Sequence, residues 1–434
     1  MYIMDVAVPE EVRPRRLPYL PDGTSTNSIV VTPVNGAVFN DNGQIILDLP
    51  VGRGYLNPQS MYIRYRQTCS GMASGGSTMI GIPLYTPFSQ FQMLFNSQVV
   101  ETISDYNIVM NDLVNLKLTA ADKVGHSQDL GIGGTATNFS FNSVNGRLLG
   151  ATPDAFSVSG PLPCLLSQCE TYVPMFLLNA CRIILNIDTI ANMFNTTVNT
   201  PTSFAISQFE LCMDVVSFPS QVDAAYLSMV NQQNKIVLKS SSWMVSSQPL
   251  ASGSSGSFNF PYSFRLASVK SVFLHCSPAV ATSATSNGKF DSIDVTSNNG
   301  SYQLDIGGGI LYPPRPLNTL LNKSGIISEL CLALFGNRNI LSASLGLTPV
   351  TWNYTSSSAS TTYTAPGMHI VGINSEKCAT SNAVLTGAST LLSPILARIE
   401  INTATSQACQ IRALAYFDAL ISIDIGTRQV DILQ

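Results

Sequence analysis

"SDYNIVMNDLVNLKL", residues 104–118, breaks the pattern of the chain around it. Most of the sequence is short β-branched and aromatic runs separated by Ser, Thr, Asn and Gly. Here Tyr106, Val109, Met110, Leu113 and Leu116 recur at the spacing of one helical face. Thr102, three residues before Asp105, adds a weak start signal. The stretch predicts one helix of about four turns inside a chain of strands.

Upstream, "GQIILDL" (43–49), "SMYIRYRQTC" (60–69) and "FQMLFNSQVV" (91–100) read as strands, the last as one strand or a tight pair. In the second, Tyr62, Arg64 and Arg66 alternate with Ile63, Tyr65 and Gln67. Downstream, a long loop-like region at 125–163 contains "GIGGTATN" and "SVSGPLP". Strands resume at "CETYVPMFLL" (169–178), "CRIILNIDTI" (181–190) and "FAISQFELCMDVVSF" (204–218), and "DAAYLSMVNQQN" (223–234) reads as a short connecting helix.

The order then repeats. "KIVLKSSSWMV" (235–245), "SVKSVFLHCS" (268–277) and "SYQLDIGGGILY" (301–312) are strands. Ile326, Ile327, Leu330 and Leu334 form a second helical pattern that stops near Gly336. A polar loop at 337–366 follows, then strands at "MHIVGIN" (368–374), "PILARIEI" (394–401) and "CQIRALAYFDALISIDI" (409–425). Landmarks step by similar amounts, about 211 from Gln92 to Gln303 and about 216 from Arg182 to Arg398. The fold class is therefore all-β: two consecutive eight-stranded antiparallel jelly rolls, each with a helix in a long inter-strand excursion. The expected division is an N-terminal arm at 1–40, a first jelly roll at 41–222, a linker at 223–234, a second jelly roll at 235–425 and a C-terminal tail at 426–434. Each helix is expected to lay its apolar face on its own sandwich and cover an exposed edge.

Of the 434 residues, 45% are hydrophobic but only 11% are charged, against about 25% in ordinary soluble domains. Such a surface suits a protein that buries its outside against copies of itself, because desolvating charge is costly; it also suits a secreted β-protein. The net charge of −4 argues against a basic nucleic-acid face, and sequence-specific nucleic-acid binding is not expected. No apolar run reaches 18 residues, so no membrane-spanning helix is expected, and the start does not read as a secretory signal. The nine cysteines (69, 164, 169, 181, 212, 276, 331, 378 and 409) lack any C-x-x-C pair and read as free buried thiols of a reducing compartment rather than a disulfide framework or metal cage.

Motifs for catalysis are missing. There is no H-E-x-x-H, no G-x-S-x-G and no phosphate loop. His126, His275 and His369 share no ligand spacing, and His275 lies in an apolar strand as a core or sheet residue. Asp188, Asp214 and Asp424 each stand in a strand; a glycosidase would need two of them facing one cleft. Trp243 and Trp352 read as packing residues, and the N-x-[ST] sites at Asn138, Asn195, Asn299, Asn322 and Asn353 as unused. No enzyme activity, cofactor or metal is expected. Prolines break up residues 1–40, where Arg13, Arg15 and Arg16 form a small basic cluster, either a solvated tail or an arm that contacts a neighbouring subunit, a minor protein or phosphate.

With these features in place, the chain resembles the double jelly-roll major capsid proteins of adenovirus-like viruses, virophages, polinton-like viruses and tailless phages. The similarity is carried by "FAISQFELCMDVVSF" as a closing strand of the first roll, "KIVLKSSSW" with "SVKSVFLHCS" as the opening of the second, and "YQLDIGGGILYPPRPL" as a strand, glycine turn and Tyr-Pro segment. The resemblance implies a structural virion protein, a homotrimer whose six rolls form a pseudo-hexameric block tiling an icosahedral shell. It implies neighbouring trimers, penton and minor capsid proteins as partners, assembly inside the host cell, and an N-terminal arm (Arg13, Arg15, Arg16) on the inner face toward minor proteins, an internal membrane or the genome. The alternatives are a jelly-roll carbohydrate- or receptor-binding spike and a two-domain carbohydrate-active enzyme.

Overall fold

The computed structural model describes residues 23–52, 54–71, 77–132, 147–149, 154–194, 201–231, 235–279, 288–306, 308–320, 323–336, 345–346, 368–377 and 385–434. The principal elements of the first half are β1 (Ser25–Val31), β2 (Gln44–Leu49), β3 (Tyr62–Ser70), β4 (Phe88–Phe95), β5 (Gln98–Ser104), α1 (Tyr106–Lys117), β6 (Asp154–Pro161), β7 (Cys181–Ile187) and β8 (Ser203–Ser217). Helix α2 (Ser220–Asn231) leads to the second half: β9 (Lys235–Leu250), β10 (Gly256–Tyr262), β11 (Val269–Pro278), β12 (Gly300–Ile306), β13 (Ile310–Asn318), α3 (Lys323–Phe335), β14 (Val371–Asn374), β15 (Ile395–Ile401) and β16 (Cys409–Asp424).

In the first half these strands pair in the orders β1-β8-β3-β6 and β2-β7-β4-β5. In the second the orders are β9-β16-β11-β14 and β10-β15-β12-β13. Adding eight to every label of the first pair gives the second pair. All of these pairings are antiparallel. Two four-strand orders joined in this way make one jelly roll, and the chain makes it twice. Eight is not the full inventory per unit. Short strands at Val38–Asn40, Tyr55–Leu56 and Val173–Pro174 extend the first sheet to seven, and Val430–Leu433 brings its counterpart in the second half to five.

Local sequence explains the elements. β3 alternates exposed and buried residues through Tyr62, Ile63, Arg64, Tyr65, Arg66 and Gln67. "FQMLFNSQVV" is a tight pair of strands: Asn96 and Ser97 both take positive φ (50° and 68°), the geometry of a two-residue hairpin turn matched to strand twist. β8 bulges between Ser207 and Glu210, where Gln208 has φ 51°. β9 and β16 stay in register from Lys235↔Asp424 to Leu250↔Cys409. The core lies between the two sheets of each unit. In the first, Tyr65 of one sheet meets Phe88 of the other edge-on at 5.5 Å. In the second, the Tyr262 hydroxyl of β10 donates to the Ile411 carbonyl of β16 at 3.2 Å. Burying each such ring contributes about 1.5–3 kcal/mol.

Several expectations need correction. The stretch 1–40 is not all arm, because β1 pairs with β8 from Ser25↔Ser217 to Val31↔Leu211. The polar start of β1 hides it; only Ile29, Val30 and Val31 mark a strand. Residues 426–434 are not a loose tail: Val430–Leu433 pairs with β16, and the Gln434 side chain donates to the Val100 carbonyl at 2.8 Å. "CETYVPMFLL" yields only the two-residue strand Val173–Pro174 and a turn of tight helix at Met175–Leu177, since a proline mid-run removes a ladder donor. The connecting helix begins at Ser220, three residues before the expected 223. Arg13, Arg15, Arg16, Cys378, Trp352, Asn138, Asn195, Asn322 and Asn353 lie outside the described residues.

Candidate functional site

Helix α1 is where the two halves meet. Its apolar face packs as its spacing predicts, with Tyr106 stacked on Phe91 of β4 at 5.5 Å. Its polar face is buried too: Asn107, Asn111, Asp112 and Asn115 are all at or below 2% exposure. A helix buried on both its apolar and its polar face must have a partner on each side. The second partner is the other jelly roll, not the edge of its own sandwich, and this corrects the expected role of the helix.

Four contacts build the joint. Asp105 starts the helix in the left-handed region (φ 49°) with no side-chain cap, because its carboxylate accepts from Arg412 Nε of β16 at 3.0 Å. Asp112 Oδ2 lies 2.8 Å from His275 Nδ1 of β11. His275 Nε2 faces the Lys289 carbonyl at 3.0 Å, so that nitrogen carries a hydrogen and donates. Asp188, just past β7, accepts from Asn107 Nδ2 at 3.1 Å and pairs with the Lys289 ammonium of the second unit. Ile108 of α1 completes the contact in a small apolar cluster with Ile80 and Phe290.

A second patch joins β5 and the segment after β6 to β9. Buried Glu101 accepts from the Leu165 N–H with both oxygens, at 3.1 and 2.9 Å, and from the Ser242 hydroxyl. Burial pushes its carboxyl up to about 7, against the pull of those hydrogen bonds. The Ser240 hydroxyl donates to the Leu165 carbonyl at 2.5 Å, and Lys239 pairs with Glu170 at 2.9 Å. Between α1 and the second unit remains an apolar cleft of about 370 Å³ lined by Met110, Leu113, Trp243, Phe273, Leu334 and Tyr416. Trp243 is a packing residue there, 4.8 Å from Tyr416 and 5.6 Å from Phe273.

The remaining candidates do not converge. Asp188 serves the joint, Asp214 accepts from Ser28 at 2.5 Å, and Asp424 accepts from the Thr427 N–H at 2.8 Å. Asp188 lies just beyond its strand, not in it. His369 is buried 3.8 Å from Asp294, while exposed His126 lies 3.4 Å from Asp129. Among the described residues no group of three His, Cys, Asp or Glu is placed to hold a metal, and no helix is long and apolar enough to cross a membrane. The eight described cysteines are buried thiols outside any disulfide, with burial pushing Cys164 and Cys169 up to about 12. Inert thiols follow from that burial.

No family model matches the chain, and no curated protein matches it in sequence. In three dimensions it superposes along nearly its whole length on capsid proteins. Against the Faustovirus major capsid protein the TM-score is 0.60 at 9% identity, covering 94% of this chain and 92% of that one. The fold is the double jelly roll. VP54 of PBCV-1, fitted into a reconstruction of the virophage Sputnik, gives 0.60 at 9% identity, covering 96% of this chain and 98% of the other. The mavirus major capsid protein gives 0.51 at 11%, covering 98% and 93%. A double jelly roll of this kind carries its likeness in architecture rather than in residues. The polar joint of this chain is therefore described from its own contacts.

Proposed function

We propose that this double jelly roll is a viral major capsid protein whose work is self-association, without a catalytic step. The carrying observation is the duplicated strand order, locked side by side in one chain by a buried polar joint and matched end to end by capsid proteins of several viruses. Low surface charge supports the same reading, because large self-interfaces are depleted of charge at their centres.

In this reading three chains form a pseudo-hexameric trimer, and trimers tile an icosahedral shell in the virion after synthesis in the host cell. The assembly units are the rolls at 41–222 and 235–425, with β1 and the C-terminal strand added to them, and 223–234 joins them. Penton and minor capsid proteins are further partners. Arg13, Arg15 and Arg16 present positive charge on the inner face to minor proteins, a membrane or the genome.

The test is the solution mass by light scattering after gel filtration over a range of concentrations, followed by imaging. A species of three times 46.5 kDa, or larger shells, supports the reading. A monomer at every concentration, together with glycan binding, would replace it with the spike reading.

A further inference from the structure

Helix α1 does not close completely on the second roll. Tyr85, Met110 and Leu130 of unit one face Trp243 of β9 and Phe273 of β11 in unit two across the cleft of about 370 Å³. All five side chains are buried. The hydroxyls in the walls are already engaged: Tyr85 donates to the Pro161 carbonyl at 2.8 Å, and Tyr416 meets the Ser241 hydroxyl at 2.6 Å. Water entering such a space finds few partners. The volume falls in the range of small-molecule sites, about 300–1000 Å³.

The mouth is different. Lys117, the last residue of α1, and Gln168 line the same cleft and are exposed, so polar groups gather where it opens. No acid stands among its described lining residues. Among the described residues no carboxylate pairs with Lys117, and the apolar walls pull its ammonium below the ordinary lysine value. A small adjoining void past Trp243 and Phe273 reaches Asp112, but that acid is taken by His275. An unpaired cation at the rim of a dry apolar slot is complementary to an apolar body with an anionic head.

We propose that this cleft binds a medium-chain aliphatic carboxylate, its hydrocarbon among Met110, Trp243 and Phe273 and its carboxylate on Lys117. Such a ligand touches both rolls at once and ties α1 to the second roll more firmly than the joint alone. Because it binds the folded joint and not the unfolded chain, it stabilises the protein by mass action. The site lies within one chain, so it exists whether the chain is single or assembled.

The probe is dodecanoate brominated at its terminal carbon, a contact quencher of tryptophan. In the full chain carrying Trp352→Phe, Trp243 is the one remaining tryptophan. Its fluorescence is expected to fall to a plateau at probe concentrations below those that form micelles, and plain dodecanoate should restore it. Lys117→Glu, at the exposed mouth, should keep the wild-type circular dichroism and weaken binding about tenfold, while Lys117→Arg should retain it. A dodecyl ammonium with the same terminal bromine should show the opposite preference. In the unmodified chain dodecanoate should raise the melting temperature, and Lys117→Glu should shrink that rise. Quenching that is missing or never saturates, with no rise in melting temperature, overturns the site. Saturable quenching that is equal for both head groups and unmoved by Lys117→Glu overturns the anionic ligand.

Discussion

His275 and Asp112 stand 163 positions apart in sequence, in different jelly rolls, and meet at 2.8 Å with both side chains buried. Each roll meets the far side of its own member, Asn111 Nδ2 donating to Asp112 Oδ1 at 3.3 Å and the Lys289 carbonyl facing His275 Nε2 at 3.0 Å, and leaves the near side to the other roll. Removing one partner of such a pair strands the other without water and costs about 3–5 kcal/mol. Asp112→Ala and His275→Ala are each expected to lower unfolding free energy by that order in urea. The double variant should cost clearly less than the sum. Additive losses, or losses under about 0.5 kcal/mol, would mean the contact carries no coupling.

Arg412 should behave as a second bolt. Its side chain is 12% exposed and reaches both Asp105 and the Ser277 hydroxyl. Arg412→Ala is expected to destabilise by about 1–3 kcal/mol, and Arg412→Lys to recover only part, since an ammonium lacks the guanidinium fork. Full recovery by lysine in a thermal melt would reduce the contact to simple charge.

Glu101 predicts a pH dependence. Its folded-state value, raised to about 7, exceeds the ordinary 4.5, so the folded chain holds this proton more tightly than the unfolded chain does. Stability from this group is then greatest below pH 4.5, falls as pH climbs to about 7 and is level above it. The fall is on the order of 3 kcal/mol. Unfolding titrations of Glu101→Gln should lack that component of the slope. An unchanged profile would show that the carboxyl titrates normally.

Gly300 tests the packing of β12 against β15. A Cβ there would stand 1.9 Å from the Glu400 carbonyl oxygen, a backbone atom that cannot rotate away. Gly300→Ala is expected to cost about 1–3 kcal/mol. A neutral melt would mean that the two strands separate without penalty.

The repeated architecture was legible because its signals are local. Helical spacing marked α1 and α3, alternation marked β3, and Gln92 and Gln303 fall on the equivalent strands β4 and β12, as Arg182 and Arg398 do on β7 and β15. The register was not legible: Gln92 faces Ile184, whereas Gln303 faces Arg398, so the two landmarks differ by two residues. The joint stayed hidden for the same reason. Asn107, Asp112 and Asn115 look in sequence like the wet side of a helix, and a pairing across 163 residues leaves no spacing. One signal was present: His275 in an apolar strand needs hydrogen-bonding partners, and so points to an acid elsewhere.

The outer edge of unit two has a further meaning. β13 ends its sheet, and Pro313, Pro314 and Pro316 supply no N–H along that edge. A neighbour cannot zip onto it by a continuous backbone ladder, the route by which edge strands fuse irreversibly. Contacts made there depend on side chains alone and can come apart. A molecule that meets this edge out of register can therefore leave and bind again, so association there stays correctable instead of being fixed at first touch.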